Sequence, residues 1–264
     1  MTLDIALLQV AIHDGEDAEH RLQRGLSMLR NLEQPVQLAI FPELWTVGFF
    51  SFCRYAAGAT RVPGPVTAEL AATARELNIW LHAGSLVERS ADGALHNTSL
   101  LFDPRGELRA SYRKIHLFGY DSEESSLLRP GNAVTVLQTP FGCIGLSTCY
   151  DLRFPELYRQ MLDQGAELFL VTSAWPHPRL EHWLVLNRAR AIENLSYVVA
   201  CNAAGETRGW RFLGNSLVVG PWGEEVARGG EEEQVVFARV NSGQVREVRN
   251  RFPALRDRRL RLPQ

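Results

Sequence analysis

Apolar residues recur along this chain at two periods, and the change from one to the other marks out its elements. Leu3 to Val10 is apolar at most positions and reads as a buried strand. From Asp14 to Leu32 the apolar positions Leu22, Leu26 and Leu29 are spaced for one face of a helix. Gln37 to Phe41 is a short second strand that ends in Pro42-Glu43-Leu44. Strand, helix, strand predicts parallel neighbours joined by a right-handed crossover. It also puts Glu43 at the carboxyl end of its strand, the edge where open α/β sheets build their sites. A helix over 66–77, a strand over 79–87, a hairpin turn at Asp92-Gly93 and a return strand over 96–102 come next. A further strand over 108–113 delivers Lys114 at its end. The segment 119–130 is polar and acidic through Asp121, Glu123 and Glu124. Its length suits a lid, and its charge equally suits a solvated face.

The opening pattern then recurs. Ile144 and Leu146 give 141–148 β character, Cys149 follows, and the chain turns through Tyr150 and Asp151 into a helix predicted over 152–164, closed by Gly165. Glu167 to Thr172 is a strand with Ser173-Ala174-Trp175-Pro176 as its carboxyl-end loop. A helix over 180–194 and strands over 197–201, 216–220 and 234–240 complete the pattern. Two strand–helix–strand halves joined by hairpins predict a mixed sheet, or two packed sheets, with helices outside and no linker between domains. The tail, Arg246 to Arg261, is rich in arginine but carries Glu247 and Asp257. It is expected to pack against a partner subunit rather than to bind nucleic acid.

Composition narrows this only a little. A chain of 264 residues, 45% hydrophobic and 22% charged, suits an ordinary globular domain. A net charge of -2 gives no electrostatic reason to expect nucleic acid or an anionic membrane. The N-terminus lacks a signal-like pattern, and no apolar run approaches the roughly 18 residues of a membrane span. Cysteines at 53, 143, 149 and 201 fit neither CxxC nor zinc spacing, so a reducing cytoplasm is the simplest expectation. His82, His96 and His116 have no metal-type companions and read as core or hydrogen-bonded histidines. Lys114 is the only lysine among 28 basic residues. A position that keeps lysine where arginine serves everywhere else calls for a compact cation with a movable pKa.

Three residues bear chemistry. Glu43, among Phe41, Leu44, Trp45, Phe49 and Phe50, is expected to be desolvated, with a raised pKa suited to a general base. Cys149, between a strand and a predicted helix N-terminus, is either a buried small hydrophobe or a nucleophile whose thiol pKa the helix lowers. Lys114 stands at a third strand end. Phe-Pro-Glu43-Leu, Tyr-Arg-Lys114-Ile-His-Leu-Phe and Ser-Thr-Cys149-Tyr-Asp-Leu-Arg-Phe-Pro-Glu together resemble the nitrilase superfamily of carbon–nitrogen hydrolases. The likeness continues through His182-Trp183, the 188–194 segment and Pro221-Trp222-Gly223, nearly the whole chain.

The resemblance implies a single-domain, four-layer α-β-β-α sandwich over residues 1–264, with 242–264 as an interface tail. It implies a homodimer or larger assembly, and neither a metal nor an organic cofactor. It casts Cys149 as nucleophile toward a small-molecule amide, Glu43 as base, and Lys114 with the Tyr150 backbone N–H as holders of the oxyanion. Glu124, chosen over Glu123 by aligning on Pro130-Gly131, would orient Lys114. Phe118, Tyr150, Ser173 and Trp175 are the expected pocket walls. Arg153 either holds a substrate carboxylate or braces the turn through an ion pair such as one with Glu156. The motifs look most like the omega-amidase branch, which hydrolyses monoamides of short α-keto dicarboxylic acids. Deaminated glutathione amidases share most of them, and a catalytically idle scaffold is the non-enzyme alternative.

Overall fold

The computed structural model describes residues 2–260. One six-stranded sheet contains β1 (Thr2–Gln9), β3 (Leu38–Ile40), β4 (Trp80–Arg89), β5 (Leu95–Phe102), β6 (Leu108–Arg113) and β15 (Gln234–Asn241), in the order β15-β1-β3-β4-β5-β6. A second contains β7 (Val136–Thr139), β8 (Gly142–Thr148), β9 (Leu168–Ser173), β10 (Tyr197–Asn202), β13 (Leu217–Val219) and β14 (Glu225–Arg228), in the order β14-β13-β10-β9-β8-β7. A small third sheet joins β2 (Ala11–His13), β11 (Ala204–Thr207) and β12 (Trp210–Arg211). The centre of each large sheet is parallel, β1-β3-β4 in one and β8-β9-β10 in the other, and antiparallel strands flank it, among them β15, which comes from the far end of the chain to pair with β1.

Side-chain alternation explains the layering. Leu3, Ile5 and Leu7 of β1 share a core with Ile144, Leu146, Leu170 and Val199 of the second sheet. Ala6, Leu8 and Val10 turn the other way and meet Leu22, Leu26 and Leu29 of α1 (Ala18–Arg30), with Leu70 and Ala74 of α3 (Pro65–Leu77) beside them. α5 (Pro155–Asp163) and α6 (Leu180–Asn194) cover the second sheet through Met161, Trp183 and Ala191. The result is the four-layer sandwich expected, each fully buried aliphatic side chain stabilising it by about 1.5–3 kcal/mol. α2 (Tyr55–Gly58) and α4 (Glu124–Leu127) are single turns over the carboxyl ends of the strands.

Several boundaries differ from expectation. The helix predicted over 152–164 is a 3₁₀ turn, Cys149–Arg153, followed by α5 from Pro155. Proline has no N–H and disfavours helical backbone in the residue before it, and Phe154 is accordingly extended at φ -108 and ψ 96. The tail carries α7 (Gln244–Arg251), anchored by Val245 and Val248. Arg249 of α7 donates to the Ala166 carbonyl at 2.8 Å and to Ser196 Oγ at 2.7 Å, so this part of the tail is fastened to its own chain. Residues 261–264 of the expected interface tail lie outside the described residues.

Candidate active site

Glu43 is placed by a sharp turn just beyond β3. Leu44 has φ +43, and its N–H donates to Ser85 Oγ at 3.0 Å. Gly84 permits that approach: a Cβ there would lie 2.1 Å from the Pro42 carbonyl oxygen. The Glu43 N–H crosses to the second sheet and donates to the Ser173 carbonyl at 3.2 Å. Thr172 Oγ1 makes a parallel tie to the Phe41 carbonyl at 2.9 Å. The two sheets are therefore stitched together at the edge that carries the chemistry.

Lys114 leaves β6 with its N–H donating to the Asn97 carbonyl and its own carbonyl accepting from Gly131, each at 2.8 Å. Its ammonium lies on three carboxylate oxygens: Glu43 Oε1 at 2.8 Å, Glu124 Oε1 at 2.9 Å and Glu124 Oε2 at 2.8 Å. All three side chains are 0% exposed. Glu124 enters from the acidic loop, with Phe118 N–H donating to its Oε2 at 2.7 Å, while Glu123 and Asp121 stay at the surface. The loop thus contributes one interior acid, the one the Pro-Gly alignment selects.

Asn97, in β5, was not among the expected site residues. Its Nδ2 donates to Glu43 Oε1 and to Glu124 Oε1, each at 2.8 Å. With Lys114 and Asn97 both on Oε1, Glu43 Oε2 has no hydrogen-bond partner among the described residues. The Cys149 thiol lies close enough to the Glu43 carboxylate for each group to shift the acidity of the other. Nothing in the sequence singles Asn97 out: it stands in the polar run His96-Asn97-Thr98-Ser99 of β5.

Cys149 caps β8 in left-handed backbone, φ +50, a conformation that costs a non-glycine residue of order 1–3 kcal/mol. Asp151 holds it there. Asp151 Oδ2 accepts from the Thr148 N–H at 2.9 Å and from Tyr112 OH at 2.7 Å. Its Oδ1 accepts from the His116 N–H at 3.1 Å and lies 2.7 Å from His116 Nδ1. His96 is likewise hydrogen-bonded, to the Arg129 carbonyl, whereas His82 is buried with both ring nitrogens unpartnered and its pKa pushed down to about 3 by burial.

The electrostatics reverse one expectation. Burial first, and the Glu43 carboxylate second, hold the Cys149 thiol well above its usual range, against the opposing pull of Lys114 and the Ala174 amide. The α-helix whose dipole was expected to lower it starts only at Pro155. Glu43 is itself raised, chiefly by burial and further by the Glu124 charge, with Lys114 pulling the other way. Burial opposes the charge on Lys114, but Glu124 and Glu43 outweigh it and hold the ammonium protonated. The resting thiol is therefore neutral, beside a carboxylate of raised basicity. Among the described residues no His, Cys, Asp and Glu side chains cluster as a metal site, and the Lys114 ammonium fills the space between the two carboxylates.

Cys149 opens onto a small pocket. Phe118, Tyr150 and Trp175 line it as expected, together with Phe49, Phe50 and Arg153. Ser173 does not: β9 runs through it, its side chain is packed inside, and the pocket wall begins one residue later at Ala174. Among the described residues Arg153 makes no ion pair, with Glu156 or any other acid. Its guanidinium lies 4.8 Å from the Trp175 ring and 6.0 Å from the Tyr150 ring, with His182 Nδ1 at 3.2 Å.

A carboxylate, an ammonium and a thiol gathered at strand ends between two facing sheets, under an apolar pocket, define a hydrolase on an α-β-β-α sandwich. The Carbon-nitrogen hydrolase family profile matches residues 4–250, and the chain belongs to that family. It is 40% identical to a 2-oxoglutaramate amidase of Paenarthrobacter nicotinovorans, over 97% of this chain and 90% of that one. It is 34% identical to the omega-amidase NIT2 of Homo sapiens, over 97% and 94%. The crystal structure of XC1258, a CN-hydrolase superfamily protein of Xanthomonas campestris, superposes with a TM-score of 0.91 at 30% identity, covering all of both chains. The protein is thus an amide-hydrolysing member of its family.

Proposed function

We propose that this protein is an omega-amidase, hydrolysing the terminal amide of a short α-keto dicarboxylic acid monoamide such as 2-oxoglutaramate. The observation that carries the mechanism is the unshared Oε2 of Glu43 beside the neutral Cys149 thiol, with Oε1 pinned by Lys114 and Asn97. As Sγ bonds to the amide carbon, Oε2 takes the thiol proton, so no free thiolate has to be buried. The carbonyl oxygen gains charge near the Lys114 ammonium and the Tyr150 N–H, which stands in the first turn of a helix-like segment where it has no intrahelical acceptor. One such donor is worth roughly 3–4 kcal/mol in comparable acyl transfers. Collapse breaks the C–N bond, the proton on Glu43 goes to the departing nitrogen, and ammonia leaves. Glu43 then takes a proton from water as it attacks the thioester, and the proton returns to sulfur as the C–S bond breaks. Arg153, without an ion pair among the described residues, supports a carboxylate at the far end of the substrate.

The same reading supports a homodimer in a reducing cytoplasm. All four cysteines are free, and Val185, Ile192, Trp222 and Phe252 leave apolar surface exposed on α6 and near the tail.

Ammonia release from 2-oxoglutaramate is expected from the purified protein, with Cys149→Ala slower by at least about 10⁴-fold and unchanged in its circular-dichroism spectrum. Intact-mass spectrometry of quenched wild-type enzyme should show the acyl group on Cys149. A Cys149→Ala protein releasing ammonia at the wild-type rate would end the thiol mechanism.

A further inference from the structure

The mouth of the pocket carries a second cation that the mechanism above does not use. Arg179, from the loop before α6, lines the same cavity as Cys149 and Arg153. Among the described residues its guanidinium has neither an ion pair nor a hydrogen bond, and it stands 5.6 Å from the centre of the Phe118 ring. Phe118 packs edge-on to Tyr150 at 5.1 Å, and the other guanidinium, Arg153, stands over Tyr150 and Trp175. An aromatic strip thus carries a cation at each end. Trp175 Nε1, buried in the same wall, also lacks an acceptor. Among the described residues more than half of the arginines find carboxylates, as Arg21 and Arg24 do with Glu16 and Arg113 does with Glu88. Arg153 and Arg179 are two of those that do not, and they stand together in one small cavity, with donors left free to face it.

We propose that Arg179 is a specificity-determining residue that pairs with Arg153 as a two-guanidinium receptor for the α-keto carboxylate end of the substrate. The proposal rests on the omega-amidase reading and adds to it what chooses the substrate. An α-keto acid presents a carboxylate and an adjacent carbonyl oxygen, acceptors that can be shared between two planar donors on either side. The aromatic ring under each guanidinium keeps it in place without neutralising it. The corresponding α-amino acid amide, glutamine, would put an ammonium where the keto oxygen goes, facing two positive charges in a partly desolvated mouth. Rejection of glutamine is therefore built in by repulsion as well as by poorer contact with the receptor.

The test compares three amides on wild type, Arg179→Ala and Arg179→Lys: 2-oxoglutaramate, glutamine, and uncharged pentanamide. Arg179→Ala is expected to lower the ratio of kcat/KM for 2-oxoglutaramate over pentanamide by about 10- to 100-fold, mostly through KM. It should also narrow the preference for 2-oxoglutaramate over glutamine. Arg179→Lys, which keeps the charge but loses the planar fork, should fall between. Equal losses on 2-oxoglutaramate and pentanamide would mean a structural role and overturn the proposal, as would unchanged ratios. Those failures differ from failure of the functional reading, which would appear as wild-type enzyme that prefers pentanamide or hydrolyses none of the three; that result would overturn the proposal as well.

Discussion

On the first-sheet side of the site, Glu43, Lys114, Glu124 and Asn97 hold one another by five hydrogen bonds of 2.8–2.9 Å in a buried interior. At the mouth, Arg153 and Arg179 rest on aromatic rings and meet no acid among the described residues. The contrast separates two tasks. The floor turns its donors onto its own carboxylates and leaves two buried acceptors unpartnered among the described residues, Glu43 Oε2 and Asn97 Oδ1. The mouth is unsaturated, so a substrate can complete it. A low dielectric strengthens the charges at the floor when the reaction develops its oxyanion. Partial exposure at the mouth lets guanidiniums stay charged without a permanent partner.

The harshest way to break this division is Lys114→Ala. Two carboxylates would then share the buried floor with only the Asn97 amide between them. Removing one partner of a buried ionic cluster costs about 3–5 kcal/mol. For a protein of this size that is roughly 10 °C in Tm, read by scanning calorimetry. Ammonia release should fall by more than about 10²-fold as well, since the oxyanion loses its cation. A variant that keeps its Tm would mean that the floor does not depend on its cation.

How much of this was legible in the chain follows the same division. Glu43 and Cys149 stand at the ends of apolar strands, Lys114 stands out as the single lysine at the end of a mostly polar one, and the three motifs read together tie them to one chemistry. Glu124 needed the family's Pro-Gly landmark, because nothing local distinguishes it from Glu123. Asn97 was missed because its role depends on β5 lying beside β6 in the sheet, with Glu43 and Glu124 brought in from distant parts of the chain; no local pattern encodes that. Ser173 was misplaced by one residue, the length by which β9 outruns its expected end. The short strands β7 and β14 sit at the sheet edge, half exposed and without a full apolar face, so their periodicity is weak. The thiol acidity was read the wrong way because it depended on a helix start that Pro155 moves six residues past the cysteine.

A smaller perturbation, Glu124→Gln, tests the electrostatics of the floor without emptying it. Glu43 acts as base only when ionised, so activity falls as pH drops through its pKa. Burial, aided by the Glu124 charge, holds that pKa above the ordinary carboxylate value. Removing the Glu124 charge must therefore move the acid limb of kcat/KM to lower pH. The rate on the plateau should drop about tenfold, because Lys114 loses one anchoring carboxylate. An acid limb that moves up, or stays in place, would show that Glu124 does not act on Glu43 through charge.

The finest cut is at Asn97, where size is kept and only the two amide donations are lost. Asn97→Leu leaves Lys114 alone on Glu43 Oε1, so the carboxylate can rotate and Oε2 is no longer directed at sulfur. A hydrogen bond to a charged group is worth about 1.5–3 kcal/mol, so kcat should fall by roughly tenfold or somewhat more. KM should hardly change, because Asn97 is buried beneath the pocket rather than in its wall. Asn97→Asp makes the complementary test: a third carboxylate beside one ammonium must push Glu43 further up, moving the acid limb to higher pH, the opposite of Glu124→Gln. If both Asn97 variants keep wild-type kcat and the wild-type limb, Lys114 alone directs the base, and the floor owes its geometry to one cation rather than to a network.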